Sequence, residues 1–320
     1  MYYIGIDLGG TNIAAGILDE NLKIVIKGSV PTGNEREYPE IIKDMAQHSL
    51  KLIKDAGLTI EDIAYIGIGS PGVCDREKGI LLYANNIGFI DVPMVSEMQK
   101  YISLPIYIEN DANCAALGES VSGAAKDVSD SITITLGTGV GGGIVMGNRI
   151  FLGFNGMAGE IGHTSIVLDG EKCTCGRKGC WEAYASATAL IRQTVKAAEE
   201  NPDSEINKLV NGNMNQVNAK TAFDAMRLND ETGIRVVDQY IRYVAEGISN
   251  LMVTLQPEKV VIGGGISKEG ETLLKPLREK VKESLYYKKD DVPQAQIVAA
   301  EIGNDAGIVG AAMLGLQGKI

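Results

Sequence analysis

Early in the chain the apolar positions fall in short runs broken by glycine. Residues 2–7 and 14–18 are two such runs, joined by Asp7-Leu-Gly-Gly-Thr-Asn12, a pattern that predicts strand, glycine turn, strand. Residues 22–29 extend it with a third strand. Beyond Pro39 the period lengthens. Ile42, Met45, Ala46, Ile53 and Ala56 recur at helical spacing up to Gly57, which predicts an amphipathic helix. A strand is expected over 63–68 with Gly69-Ser70-Pro71-Gly72 as its turn, a short helix over 93–102, a strand over 105–109, and a helix from about Asp111.

The opening pattern then recurs. Residues 131–136 predict a strand, 137–143 a glycine turn and 143–146 a second strand, so 7–18 and 132–146 read as one unit used twice. Two instances far apart in the chain point to duplicated halves. Val236, Tyr240, Val244, Ile248, Leu251 and Leu255 mark a long helix. Residues 260–262 form a buried-type strand ending in Gly263-Gly264-Gly265, with a helix expected near Lys268. Strands mixed with helices in this order predict an α/β fold, with no low-complexity linker.

At 320 residues the chain is long enough for two domains, since single cores seldom grow beyond about 250–300 residues. Hydrophobic residues make up 45% and charged residues 22%, an ordinary soluble composition. The formal net charge of -11 disfavours nucleic acid and anionic membranes as partners. The N-terminal segment lacks the basic stretch and long apolar run of a signal peptide, and no run of 18 apolar residues exists, so a cytoplasmic setting is expected. Three of the five cysteines cluster, which suits a metal in a reducing compartment better than a disulfide framework.

An acidic chain that handles phosphate needs backbone donors in place of a basic patch. Gly9-Gly10-Thr11, Gly137-Thr138-Gly139 and Gly263-Gly264-Gly265 are three candidate turns of that kind. Thr11 and Thr138 add hydroxyls, and Asp7, at the end of its strand, can hold Mg²⁺ directly or through water. None of the turns is a P-loop or a dinucleotide fingerprint; each alone reads equally well as an ordinary turn. Together, Asp7-Leu-Gly-Gly-Thr, Leu136-Gly-Thr-Gly-Val-Gly-Gly and Val261-Ile-Gly-Gly-Gly resemble the nucleotide site of the actin-like ATPases that include hexokinases. The resemblance implies two ribonuclease-H-like halves with ATP in the cleft between them. The first two turns would grip phosphates and the third would lie against adenosine. The segment 303–310 resembles that superfamily's closing helix, which places residues 305–320 with 1–117 in a smaller N-terminal domain and leaves 118–304 as the larger one.

His163, Cys173, Cys175 and Cys180 form a Cys₃His set suited to a closed, tetrahedral structural zinc site, with Gly176 and Gly179 letting the loop curl. Cys74 and Cys114 lack ligand spacing and are expected to be buried, and His48, in a polar helical stretch, has no assigned role. Glu160-Ile-Gly-His163 followed by Cys173-Thr-Cys-Gly-Arg-Lys-Gly-Cys180-Trp-Glu182 resembles the signature of the ROK family of repressors, open reading frames and kinases. Repressor members carry an added N-terminal helix-turn-helix domain, and this chain starts directly at the first phosphate strand, so the expectation is a kinase member, similar to bacterial glucokinases.

Glu109-Asn-Asp111-Ala-Asn113 follows a strand and opens a helix, where an Asp or Asn is commonly only a cap. The resemblance implies instead that Asp111 is the general base toward the sugar 6-hydroxyl and that Asn110 bonds neighbouring hydroxyls. It also implies that Glu160, His163 and Glu182 hold the other side of the sugar, with Gly72 and Asn86 as further contacts. One nitrogen of His163 would bind zinc while the other faces the sugar. Asn85-Asn86 and Phe89 stand where many glucokinases have Pro-Asn and Trp. The expected reaction is transfer from MgATP to a hexose, glucose at O6. N-acetylmannosamine, N-acetylglucosamine, fructose or allose are alternative acceptors, and a sugar-sensing regulator without turnover is the reading from another class. A homodimer is implied by the family.

Overall fold

The computed structural model describes residues 1–289 and 291–317. The first sheet is built from β1 (Tyr2–Leu8), β2 (Asn12–Leu18), β3 (Ile24–Pro31), β4 (Ile63–Ser70) and, later in the chain, β8 (Ile106–Asn110). β1 and β2 form an antiparallel hairpin in which Leu8 pairs with Ile13, so the glycine turn between them is tight. β3 continues antiparallel, whereas β4 lies parallel to β1 and β8 parallel to β4. The strand order is β3-β2-β1-β4-β8. Helix α1 (Tyr38–Asp55) has Pro39 in its first turn, where the missing N–H costs nothing, and its buried face is Ile41, Ile42, Met45, Ala46, Ser49, Leu52 and Ile53. His48 belongs to this face: it is 8% exposed, against the polar setting its neighbours suggested.

Between β4 and β8 the chain makes a small antiparallel sheet from β5 (Val73–Asp75), β6 (Ile80–Ala84) and β7 (Phe89–Val92), then a short helix α2 (Met94–Met98). α3 (Asp111–Ser122) follows β8 directly.

A second five-stranded sheet is ordered β11-β10-β9-β12-β13. Its strands are β9 (Ser131–Leu136), β10 (Val140–Met146), β11 (Arg149–Ile150), β12 (Lys259–Gly263) and β13 (Gln296–Ala299). In each sheet the third, second, first, fourth and fifth strands of the set lie side by side in that order, the topological signature of a duplicated half. The glycine turn after β9 is shorter than the expected 137–143, because β10 already begins at Val140.

Between β11 and β12 lie α4 (Glu182–Ala185), α5 (Ala187–Glu200), α6 (Glu205–Leu209), α7 (Thr221–Arg227) and α8 (Glu231–Leu255). Asp230 caps α8 by accepting from the Gly233 N–H at 2.7 Å, and Gln256 ends it in the left-handed region. The helix expected near Lys268 begins later. Residues 265–269 make a 3₁₀ turn, Gly270 takes φ +57°, and only then does α9 (Glu271–Ser284) start.

The last helix, α10 (Ala306–Gln317), packs on the first sheet through glycines. A Cβ on Gly5 would lie 1.9 Å from the Ile308 carbonyl oxygen, and one on Gly67 would lie 1.7 Å from that of Ala311. Glycine inside β1 and β4, a cost in strand propensity, is what lets the helix backbone touch the sheet. Residues 318–320 of the expected closing segment lie outside the described residues.

The chain divides into two compact units. The first comprises residues 1–133, 143–159 and 300 onward; the second comprises 134–142 and 160–299. Cys74 and Cys114 are buried, as expected. Among the described residues no helix is long and apolar enough to cross a membrane.

Candidate functional site

In the first unit the candidate residues gather at the carboxyl ends of β1, β4 and β8. Gly9 N–H bonds the Asn12 carbonyl at 2.9 Å to close the first turn, and the Thr32 hydroxyl donates to the Gly9 carbonyl at 2.7 Å. Thr11 is exposed. Gly10 lies beside the backbone of Asn86, so Asn86, in the 3₁₀ turn Asn85–Ile87, flanks this turn. Burial, with the Asp111 charge nearby, pushes the Asp7 carboxyl up to about 6. A buried carboxyl that feels a second negative charge is relieved by a cation, so Asp7 is a donor of the type that suits Mg²⁺.

Asn110, and not Asp111, caps α3. Its side-chain oxygen accepts from the N–H groups of Ala112 and Asn113 at 2.9 and 3.2 Å, and its amide donates to the Gly72 carbonyl at 3.1 Å. Gly72 has φ +91°, and a Cβ there would lie 1.9 Å from the Tyr83 carbonyl oxygen, so no other residue fits. Asp111 occupies the first turn, where its own oxygen accepts from Ala112 N–H at 2.8 Å. A negative group is favoured there by the helix dipole.

Glu109 and Arg76 escape the sequence reading, since no spacing links positions so far apart. The Glu109 side chain is 2% exposed and receives both Nε and Nη2 of Arg76. It also accepts from Asn113 Nδ2 at 2.9 Å and from the Asn110 N–H at 2.7 Å.

In the second unit the turn after β9 is closed by Gly137 N–H to the Gly139 carbonyl at 3.0 Å. The first turn of α5 grips it, with Ala187 N–H on the Gly137 carbonyl at 2.8 Å and the Thr188 hydroxyl on the Thr138 carbonyl at 2.9 Å. Gly263 ends β12, Gly264 follows with φ +83°, and Gly265 opens the 3₁₀ turn.

The four expected metal ligands come together: the ligand atoms of His163, Cys173, Cys175 and Cys180 all lie within 4.8 Å of one another. Cys175 Sγ and Cys180 Sγ are 3.6 Å apart, and Cys173 Sγ is 3.6 Å from His163 Nδ1. Tetrahedral zinc with bonds of about 2.3 Å to sulfur sets neighbouring sulfurs about 3.8 Å apart, so the cluster fits the ion. Burial, with hydrogen bonds from the other two thiols, pushes Cys180 up to about 12, whereas at Cys175 burial is outweighed by hydrogen bonds from the Arg177 backbone and the other two cysteines, which lower it.

His163 turns Nδ1 to the thiols and Nε2 toward Glu160, 4.0 Å away. Glu182 reaches both features of this unit. One oxygen accepts from the Val140 N–H at 3.1 Å and the other from the Thr174 hydroxyl at 3.2 Å. A Cβ on Gly139 would lie 2.3 Å from Glu182 Oε2, so the turn needs glycine to receive this carboxylate.

Residues 3–317 match the profile of the ROK family. A glucokinase of Halalkalibacterium halodurans is 38% identical over 98% of this chain and 94% of its own. Among solved structures, a ROK family glucokinase from Streptomyces griseus in complex with glucose and AMPPNP is 35% identical with a TM-score of 0.83, covering 98% of this chain and 99% of its own. A ROK hexokinase from Thermus thermophilus, 32% identical with a TM-score of 0.84, covers 100% and 99%. These neighbours share the actin-like ATPase and hexokinase fold of two ribonuclease-H-like halves, in keeping with the two sheets of equal strand order. The likeness runs unbroken from β1 to α10 and takes in the cysteine loop, so the chain belongs to the ROK family.

Proposed function

We propose that the chain is an ATP-dependent hexokinase that phosphorylates glucose at O6. The observation that carries the reading is the junction of β8 and α3. Asn110 already caps the helix, so the carboxylate of Asp111 is not needed for the cap, and its charge is felt by Asp7. Kinships support the same conclusion: the relative from H. halodurans is a glucokinase, and the S. griseus structure holds glucose and a nucleotide.

In this reading Asp111 accepts the proton of the sugar 6-hydroxyl as the new bond to phosphorus forms. Asn110, Gly72, Asn86, Glu160, His163 and Glu182 bond the remaining hydroxyls. Gly9, Gly10 and Thr11, with Gly137, Thr138 and Gly139, donate N–H and O–H groups to phosphate oxygens, and Gly263, Gly264 and Gly265 lie against adenosine. Asp7 would hold Mg²⁺, which when bound supplies charge neutralisation for the phosphates. The Cys173–Cys180 loop would hold structural zinc, which fixes the His163 ring. Catalysis is then positioning and charge stabilisation.

Residues 1–117 with 305–320 form the smaller domain of this proposal and 118–304 the larger. A cytoplasmic homodimer completes it, and a sedimentation profile of monomers alone would remove the dimer. Coupled ADP release with a panel of hexoses tests the function. Glucose should give the highest kcat/KM. Faster turnover of N-acetylmannosamine would move the assignment to that sugar, and no turnover of any hexose would sink the kinase reading.

A further inference from the structure

The Arg76–Glu109 pair has no part in the reading above, yet it underlies the segment that carries Asp111. Arg76 follows β5 in a turn fixed by Asp75, whose carboxylate accepts the Lys78 N–H at 3.0 Å and the Lys78 ammonium at 2.9 Å. From that turn the guanidinium enters the protein and meets both oxygens of Glu109. Its Nη1 and Nη2 also point at the Gly156 carbonyl, at 3.3 and 3.4 Å. Gly156 has φ +78°, and a Cβ there would lie 2.4 Å from Nη1, so the loop backbone can approach the fork only as glycine.

One planar group therefore ties together two segments. The first is the strand-to-helix junction, because Glu109 in turn holds the Asn110 N–H and the Asn113 amide. The second is the loop that, four residues on in the chain, reaches Glu160. A buried ion pair is a poor device for stability, since an apolar pair of similar volume does as well or better. Its bidentate form instead specifies orientation, which a lysine cannot reproduce.

We propose that Arg76 is a positioning residue for the sugar acceptor. It holds the loop at Gly156 and the Asn110–Asp111 junction in the arrangement that a hexose binds. The inference rests on the hexokinase reading. It predicts a cost in sugar affinity with nucleotide affinity spared, because Glu109 holds the Asn110 N–H and the Gly156 loop leads to Glu160, both proposed acceptor-side residues.

The test uses Arg76→Lys and the double variant Arg76→Met/Glu109→Gln. The second removes both charges, so no lone carboxylate is left buried and the fold is spared. KM for glucose, KM for ATP, kcat and Tm are measured on each. Arg76→Lys should raise KM for glucose at least about tenfold with KM for ATP within about twofold, and the double variant should do the same with Tm near wild type. An unchanged KM for glucose in both variants overturns the proposal. So does a parallel rise in both KM values with a falling Tm, the pattern of a merely structural pair. A wild-type chain that phosphorylates no hexose refutes the underlying reading and the inference with it, whereas an active wild type with indifferent variants refutes the inference alone.

Discussion

Asp111 and its neighbour Asn110 show how two polar residues at one helix start divide their work. Either could cap α3 by sequence, and the backbone geometry gives the cap to Asn110. Asp111→Asn should therefore leave Tm nearly unchanged. It removes the proposed proton acceptor, a group of a kind worth about 10²–10⁴-fold, so kcat should fall at least about 100-fold with little change in KM for glucose. A kcat within a few-fold of wild type would remove Asp111 from the base role. Asp7 makes a prediction of opposite sense. Its folded pKa, about 6, lies above the ordinary 3.8. Its favourable contribution is thus complete below pH 3.8 and lost as pH rises through 6; above that the ionised carboxylate costs up to about 3 kcal/mol. In Mg²⁺-free protein Asp7→Asn should raise the unfolding free energy at pH 8 by about 1–3 kcal/mol while activity is lost. Urea titrations at pH 8 and pH 4 check it: the advantage should shrink at the lower pH, and equal stability of variant and wild type at pH 8 would refute it. At this scale the clustering of His163, Cys173, Cys175 and Cys180 was legible as a local motif, and Asp7 and Asp111 were candidates from theirs. Arg76 and Glu109 were not, because their meeting depends on β5 and β8 coming together.

The glycine turns and the cysteine loop are elements whose substitution should act on one ligand each. A Cβ on Gly137 meets nothing within 4 Å, so Gly137→Val should spare the fold. If phosphate lies in that open space, the valine should chiefly raise KM for ATP, and an unchanged value would detach this turn from the nucleotide. Cys175 is the exposed member of its cluster, so Cys175→Ser removes a ligand without opening a core cavity. Metal content should fall from about one zinc per chain, and activity with it, since in the proposed reading the ion would hold the His163 loop. Metal analysis paired with assays decides: full activity without zinc would sink the link. Hydrophobic period located the strands on either side of these turns and the long helix α8. It did not find β5, β6 and β7, whose strands of three to five residues are too short to show a period. Nor did it resolve the break at Gly270, where a left-handed glycine delays α9.

At the scale of the whole molecule, acceptor binding and turnover can be separated with one sugar. 6-Deoxyglucose keeps the hydroxyls that Glu160, His163 and Glu182 are proposed to hold and lacks the one that Asp111 would deprotonate. It should raise Tm as glucose does, since a ligand at about 100 times its Kd adds about 2.7 kcal/mol to the native state. No ADP should form above the rate without sugar. Thermal shift and ADP release on the same samples check this, and a missing Tm shift with 6-deoxyglucose would place the 6-hydroxyl among the main binding contacts.

The sequence by itself determined what depends on local order along the chain. A glycine must stand where the backbone turns or lets a neighbour in, a helix needs its apolar stripe, and ligands for one ion fall close together in a loop. It therefore showed the α/β class, the recurring hairpin unit and the Cys₃His cluster. Tertiary structure alone decided which strands lie side by side, and with it the shared order of the two sheets. It also decided why Gly5 and Gly67 sit inside strands, because the cause is α10, which arrives from the far end of the chain. The same holds for Glu109, whose carboxylate is buried against a guanidinium, an arrangement that exists only once distant segments have packed. Pairings of this kind carry no period and no spacing, so only the folded chain reveals them.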